Sequence, residues 1–129
     1  MNKDRTIYWS ELAEYDLETA RAMFKTKRYL YVGFMCHQVI EKILKGYYTA
    51  TSDDNPPYTH NLTLLASKSG IFESLSEEQK DFISAIQPLN IETRYPETKE
   101  KLFRLLTEDK CKTILSETEA LFLWIKEKF

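Results

Sequence analysis

A chain of 129 residues carries 20 acidic side chains against 18 basic ones, a net charge of −2, so no overall field draws it toward nucleic acid or an anionic membrane. Eight Tyr, seven Phe and two Trp stand against only three Gly and four Pro, a balance that favours long helices over short strands joined by turns. That length suits one domain, residues 1–129, with a core of its own.

No stretch approaches the roughly 18 consecutive apolar residues of a membrane span, and the opening MNKDRTIYWSE lacks the apolar core of a signal peptide. A cytoplasmic protein with no membrane partner is expected. Cys36 and Cys111 fall at apolar positions of helical patterns and read as buried free thiols in a reducing compartment. Neither has a second Cys or a His at ligand spacing, so no metal site and no cofactor are expected.

Taken in order, residues 7–25 predict a first helix with Trp9, Leu12, Ala13, Asp16, Ala20, Met23 and Phe24 on one face and Leu17 beside them. Asp16 lies inside that apolar stripe, where an unpaired carboxylate is costly, so it calls for a cation or a backbone donor. The short break at Lys25-Thr26-Lys27-Arg28 predicts an antiparallel pairing with the next helix, Tyr29 to Tyr48. Here Val32, Cys36, Val39, Ile40, Ile43, Leu44 and Tyr47 recur every three or four residues, the period of a helix burying a broad stripe. The opposite positions His37, Gln38, Glu41, Lys42 and Lys45 form a polar strip on this central helix.

A polar stretch from Thr49 to Pro57, closed by two prolines, predicts the longest loop. Thr59 or Asn61 then caps a short helix carrying Leu62, Leu64, Leu65 and Ala66 that closes near Gly70. Ser76-Glu77-Glu78-Gln79 has capping-box spacing and opens a helix running to about Leu89, with Pro88 as a kink or early stop. Pro96 biases Tyr95 toward an extended conformation, and a short helix over residues 99–106 follows. Thr107-Glu108-Asp109 caps a last helix that runs to the C-terminus with Cys111, Ile114, Leu115, Thr118, Leu121, Phe122 and Ile125 on its core side. The fold class is all-α, an up-and-down bundle of four to five helices.

Four segments in order, AEYDLETA after Trp9, FMCHQVIEKILK (34–45), Thr59-His60-Asn61-Leu62 and Arg94-Tyr95-Pro96-Glu97, resemble a HEPN domain over nearly the whole chain. The resemblance implies a helical bundle that dimerises and that is often encoded beside a minimal nucleotidyltransferase as a toxin–antitoxin pair. Many HEPN domains are ribonucleases that use an Arg followed four to six residues later by a His. This chain departs from that pattern: Tyr95, Pro96, Glu97, Thr98, Lys99, Glu100 and Lys101 follow Arg94, and the two histidines are His37 and His60.

Metal-independent RNA cleavage needs a base for the 2′-hydroxyl proton and a cation to steady the phosphorane. The candidate catalytic groups are His37 or His60 as base and Arg94 as cation, provided the bundle brings them together. His37 and Glu41 are i,i+4 neighbours whose side chains reach each other, either as a carboxylate-oriented histidine or as a plain polar pair. Lys42 and Lys45 either hold a phosphate or form a solvated face. His60, just before a helix start, either assists anion binding or closes the loop on the backbone. Arg94 and Tyr95 combine a guanidinium with a stacking ring, and Arg94 alternatively pairs with Asp16 or Glu41 to lock the loop down.

The candidate ligand-binding set is therefore Arg94, Tyr95, His60, His37, Glu41, Lys42 and Lys45. The surplus of aromatics, among them Tyr8, Tyr15, Tyr31 and Trp124, points to a homodimer, since aromatics are enriched at interfaces. The reading that follows is a dimeric, nucleotide-associated binding or partner module of a minimal nucleotidyltransferase without the ribonuclease motif. A ribonuclease toxin with a rearranged Arg/His site acting on RNA is the alternative, and a purely structural interaction bundle is the third reading.

Overall fold

The computed structural model describes residues 2–91 and 95–129. Among them are six helices and no strand: α1 (Asn2–Lys25), α2 (Tyr29–Thr51), α3 (Leu62–Ser69), α4 (Glu77–Ile86), α5 (Pro96–Leu105) and α6 (Glu108–Lys126). Short 3-10 turns at Ile71–Ser74 and Gln87–Leu89 follow α3 and α4. The all-α expectation is met, but six helices replace four or five. The region between the two long helices and α6 is cut into short pieces, because Gly70, Pro88 and Pro96 each end or begin an element.

The centre of the fold is α2, which packs against α1, α3 and α6. Val32, Cys36, Val39, Ile40, Ile43 and Leu44 are fully buried, and Ala13, Ala20, Leu62, Leu65, Phe122 and Ile125 close on them from three sides. Burying such an aliphatic side chain is worth about 1.5–3 kcal/mol, so this stripe supplies the main driving force for docking the other helices. Its axis is set by both ends. Thr6 and Thr49 hydroxyls meet at 2.9 Å in the interior, which fixes α1 antiparallel to α2. At the other end Tyr29 donates to Glu108 at 3.0 Å, and the Cys111 thiol sits 3.6 Å from the Tyr29 carbonyl. These contacts lay the start of α6 beside the start of α2.

Helix ends follow local chemistry. At the end of α1, Lys27 takes a left-handed conformation (φ 62°), Arg28 N–H donates to the Met23 carbonyl at 2.8 Å and Lys27 N–H to Phe24 at 3.1 Å. That is a Schellman closure made without glycine. Asn61 rather than Thr59 caps α3, its side chain accepting from Leu64 N–H, while the Thr59 hydroxyl accepts from Asn61 N–H. The capping box at Ser76 and Gln79 forms with both reciprocal bonds. Thr107 caps α6 as expected.

Several boundaries differ from the sequence expectation: α4 ends at Ile86 rather than Leu89, Pro88 falling in a separate 3-10 turn, and α6 ends at Lys126, short of the C-terminus. α1 begins at Asn2 instead of residue 7, because Arg5 and Thr6 are tied to the far end of α2 and the loop beyond it. α2 continues through Thr51, where the Thr49 and Thr51 hydroxyls bond back to the Gly46 and Tyr47 carbonyls and satisfy themselves inside the helix. α5 starts at Pro96, since proline is suited to the first turn of a helix, where its missing N–H costs nothing.

Candidate functional site

The polar strip on α2 does not face solvent. His37 is fully buried, Glu41 is 3% exposed and Lys45 is 9% exposed. They lie under the loop from Ser52 to Asn61, and that loop covers them because His60 reaches down. The His60 ring sets Nδ1 2.8 Å from Glu41 Oε1, and Lys45 Nζ donates to Glu41 Oε2 at 2.9 Å. A carboxylate only accepts, so His60 Nδ1 carries the hydrogen and Nε2 points away from the carboxylate. The His60 side chain is half exposed, so a carboxylate-oriented imidazole stands at the surface.

The backbone of the same residue is clamped as well. The His60 carbonyl accepts from His37 Nε2 at 3.1 Å and from Gln87 Nε2 at 3.0 Å, while Gln87 Oε1 accepts from Leu62 N–H at 2.7 Å. His37 and Gln87 thus fix the entry to α3. The expected His37–Glu41 pair is loose, with Nδ1 3.8 Å from Oε1, because the carboxylate turns to His60 instead. Lys42 diverges from Lys45: it pairs with Asp16, supplying the cation that the buried carboxylate on α1 requires. Its ammonium is spent on Asp16, whereas that of Lys45 turns to Glu41.

Beside the Glu41 cluster lies a cleft of about 360 Å³ walled by Arg5, Tyr8 and Trp9 of α1, Lys45 of α2, and Asn55, Pro56, Pro57 and Tyr58 of the loop. Arg5 holds the loop as its outer wall, donating to the Asp53 carbonyl at 2.8 Å and to Asn55 Oδ1 at 2.7 Å. Lys45 Nζ is 5.5 Å from the centre of the Trp9 ring, a cation–π distance that keeps the ammonium at the cleft floor. With one hydrogen given to Glu41, the ammonium keeps two more donors to offer. Tyr58 is fully exposed at the rim. The cleft therefore offers aromatic faces beside a buried positive charge, a pairing suited to a planar ligand carrying an anion.

Of the sequence candidates, His37, Glu41, Lys45 and His60 converge, whereas Lys42 does not join them. Tyr95 is exposed ahead of α5, and no hydrogen bond among the described residues joins it to the cluster. Arg94 lies outside the described residues. Arg5, Trp9 and Gln87 are site residues that sequence reading passes over. Among the described residues no three His, Cys, Asp or Glu side chains converge in a way that holds a metal ion. Both thiols are buried away from the site, and burial pushes Cys36 up to about 12 and Cys111 to about 11, which leaves them protonated and unreactive near neutrality.

This geometry sits on a chain whose residues 7–128 match the model of the HEPN domain family. The chain belongs to the HEPN family. Its fold is shared with TT1696 from Thermus thermophilus, whose crystal structure superposes with a TM-score of 0.82 at 21% identity, each chain covered over 100% of its length. At that identity the likeness speaks for the fold alone. No curated protein sequence matches this HEPN chain. Among its described residues no helix is long and apolar enough to cross a membrane.

Proposed function

We propose that this HEPN chain is a dimeric, nucleotide-associated binding module that partners a minimal nucleotidyltransferase and lacks efficient ribonuclease activity of its own. The observation that carries the reading is the Glu41 carboxylate shared between His60 and Lys45 at the floor of an aromatic-walled cleft. Lys45 and the Trp9 and Tyr58 rings supply the anion and ring contacts that a nucleotide needs. His37 is fully buried and spends Nε2 on the His60 carbonyl, a structural use rather than that of a base open to substrate. The missing His four to six residues after Arg94 argues the same way. Pairing with a nucleotidyltransferase and dimer formation rest on the family resemblance and the aromatic surplus.

The test has two arms. Structured and unstructured RNA incubated with the purified protein, with and without EDTA, is expected to stay intact. A thermal-shift series with nucleoside mono-, di- and triphosphates is expected to raise the melting temperature, because a ligand that binds only the native state adds stability. The rise should vanish in Lys45→Met. EDTA-resistant cleavage would overturn the reading.

One observation favours a second reading, a rearranged ribonuclease: His60 is half exposed and oriented by Glu41, the arrangement of a general base held by a carboxylate. It predicts cleavage that disappears in both His60→Ala and Arg94→Ala.

A further inference from the structure

On the side formed by α4 and α6, a second groove of about 320 Å³ runs between the two helices. α6 contributes Glu117, Ala120, Leu121 and Trp124, spaced i, i+3, i+4 and i+7, and α4 contributes Glu78, Gln79 and Phe82. Phe82, Leu121 and Trp124 make an apolar floor, and exposed Ala120 leaves room above it. The rim is acidic. Glu78 has a structural use of its own in the first turn of α4, where the helix dipole favours acids. Glu117, in the middle of α6, has none, and neither carboxylate has a cationic partner among the described residues. The chain's own Lys128 already rests its ammonium 4.4 Å from the centre of the Trp124 ring, so this face draws cations as well as apolar groups.

We infer that the α4–α6 groove docks a cationic amphipathic helix from a partner protein, its apolar side chains on Phe82, Leu121 and Trp124 and its Lys or Arg side chains on Glu78 and Glu117. Charge decides the occupant. A two-fold contact of this groove with a second copy would bring two acidic rims together, and like charges across an interface cost free energy. Nucleic acid and anionic membranes meet the same acidic rim and are repelled. A groove between two helices, lined at helical spacing, accepts a helix through anchors at i, i+3, i+4 and i+7. This inference is independent of the nucleotide reading, since the groove and the cleft share no lining residue.

The test is fluorescence polarisation with a labelled synthetic helix bearing Leu and Phe at those spacings and Lys on the flanks, alongside a version with every Lys changed to Gln. The basic peptide is expected to bind saturably and the neutral version at least tenfold more weakly. Glu78→Lys/Glu117→Lys and the groove-filling Ala120→Trp should each weaken the basic peptide tenfold or more. Glu11→Lys/Glu14→Lys, which makes the same change of charge at exposed positions of α1, should leave binding unchanged. Circular dichroism melts check that each variant is folded, and the two different groove variants keep the test decisive if one of them is not. Absence of saturable binding, or equal weakening by the α1 pair, would overturn the inference. So would self-association of the wild type, seen by sedimentation, that Ala120→Trp abolishes.

Discussion

Glu41→Gln tests whether the buried carboxylate is what joins the loop to the bundle. Glu41 is 3% exposed and accepts two charge-assisted bonds, from His60 at 2.8 Å and Lys45 at 2.9 Å. Glutamine keeps the shape and one acceptor but leaves the Lys45 ammonium, itself 9% exposed, without a counter-charge. Removing one partner of a buried ion pair costs roughly 3–5 kcal/mol. The retained amide oxygen and the Trp9 face put the cost at the lower end, about 3 kcal/mol. With an unfolding entropy of about 2.1 cal/mol/K per residue over 129 residues, the melting temperature should fall by roughly 11 °C.

The double variant isolates the pair. Glu41→Gln/Lys45→Met removes the stranded charge and lays an apolar stem on Trp9, so it should recover at least half of the loss, because replacing a whole buried pair is often close to neutral. Calorimetric melts near neutral pH, with urea midpoints as a second measure, read both variants. A single variant within about 3 °C of wild type, or a double variant less stable than the single one, would refute the claim that the pair is buried and coupled.

Lys27→Gly should raise stability by about 0.5–1 kcal/mol in urea unfolding, since Lys27 closes α1 at φ 62° where glycine is unstrained. Arg5→Ala should cost about 1 kcal/mol or less globally, its bonds to residues 53–55 being exposed, yet speed amide exchange and proteolysis across that loop. Gly33→Leu should destabilise by about 1–3 kcal/mol in the same assay, because a Cβ at this position already meets Leu106 Cδ1 at 3.1 Å and Leu89 Cδ1 at 3.3 Å. The buried thiols add a pH dependence. With Cys36 raised to about 12 and Cys111 to about 11 from an ordinary 9.0, the native state holds those protons more tightly, so their contribution is full below pH 9 and is lost as the pH climbs through 11 and 12. Cys36→Ala/Cys111→Ala should flatten the alkaline fall in urea midpoint, and an unchanged slope would count against burial as its cause.

Periodicity made α1, α2, α4 and α6 legible because each buries a stripe at three- and four-residue spacing. Asp16 also declared its need in the sequence, as a carboxylate inside an apolar stripe, although which cation answers depends on how α1 and α2 register, and that register selects Lys42. The site itself was half legible. Glu41, Lys45 and His60 could be singled out as chemistry-bearing, but the i,i+4 rule pairs Glu41 with His37, and the structure gives the carboxylate to His60, nineteen residues on, at 2.8 Å against 3.8 Å. Arg5 and Gln87 had no signal, since each acts through backbone carbonyls of the loop that exist only once it has folded back.

The part that pattern could not supply is the sharing. Because one carboxylate serves both His60 and Lys45, loop closure and the charge at the cleft floor are a single coupled quantity rather than two separate ones. On the nucleotide reading proposed above, an anion that drew Lys45 away from Glu41 would free carboxylate charge for His60 and tighten the loop that walls the cleft. Ligand binding and loop order should therefore rise together, a coupling that Glu41→Gln breaks even where Lys45 remains.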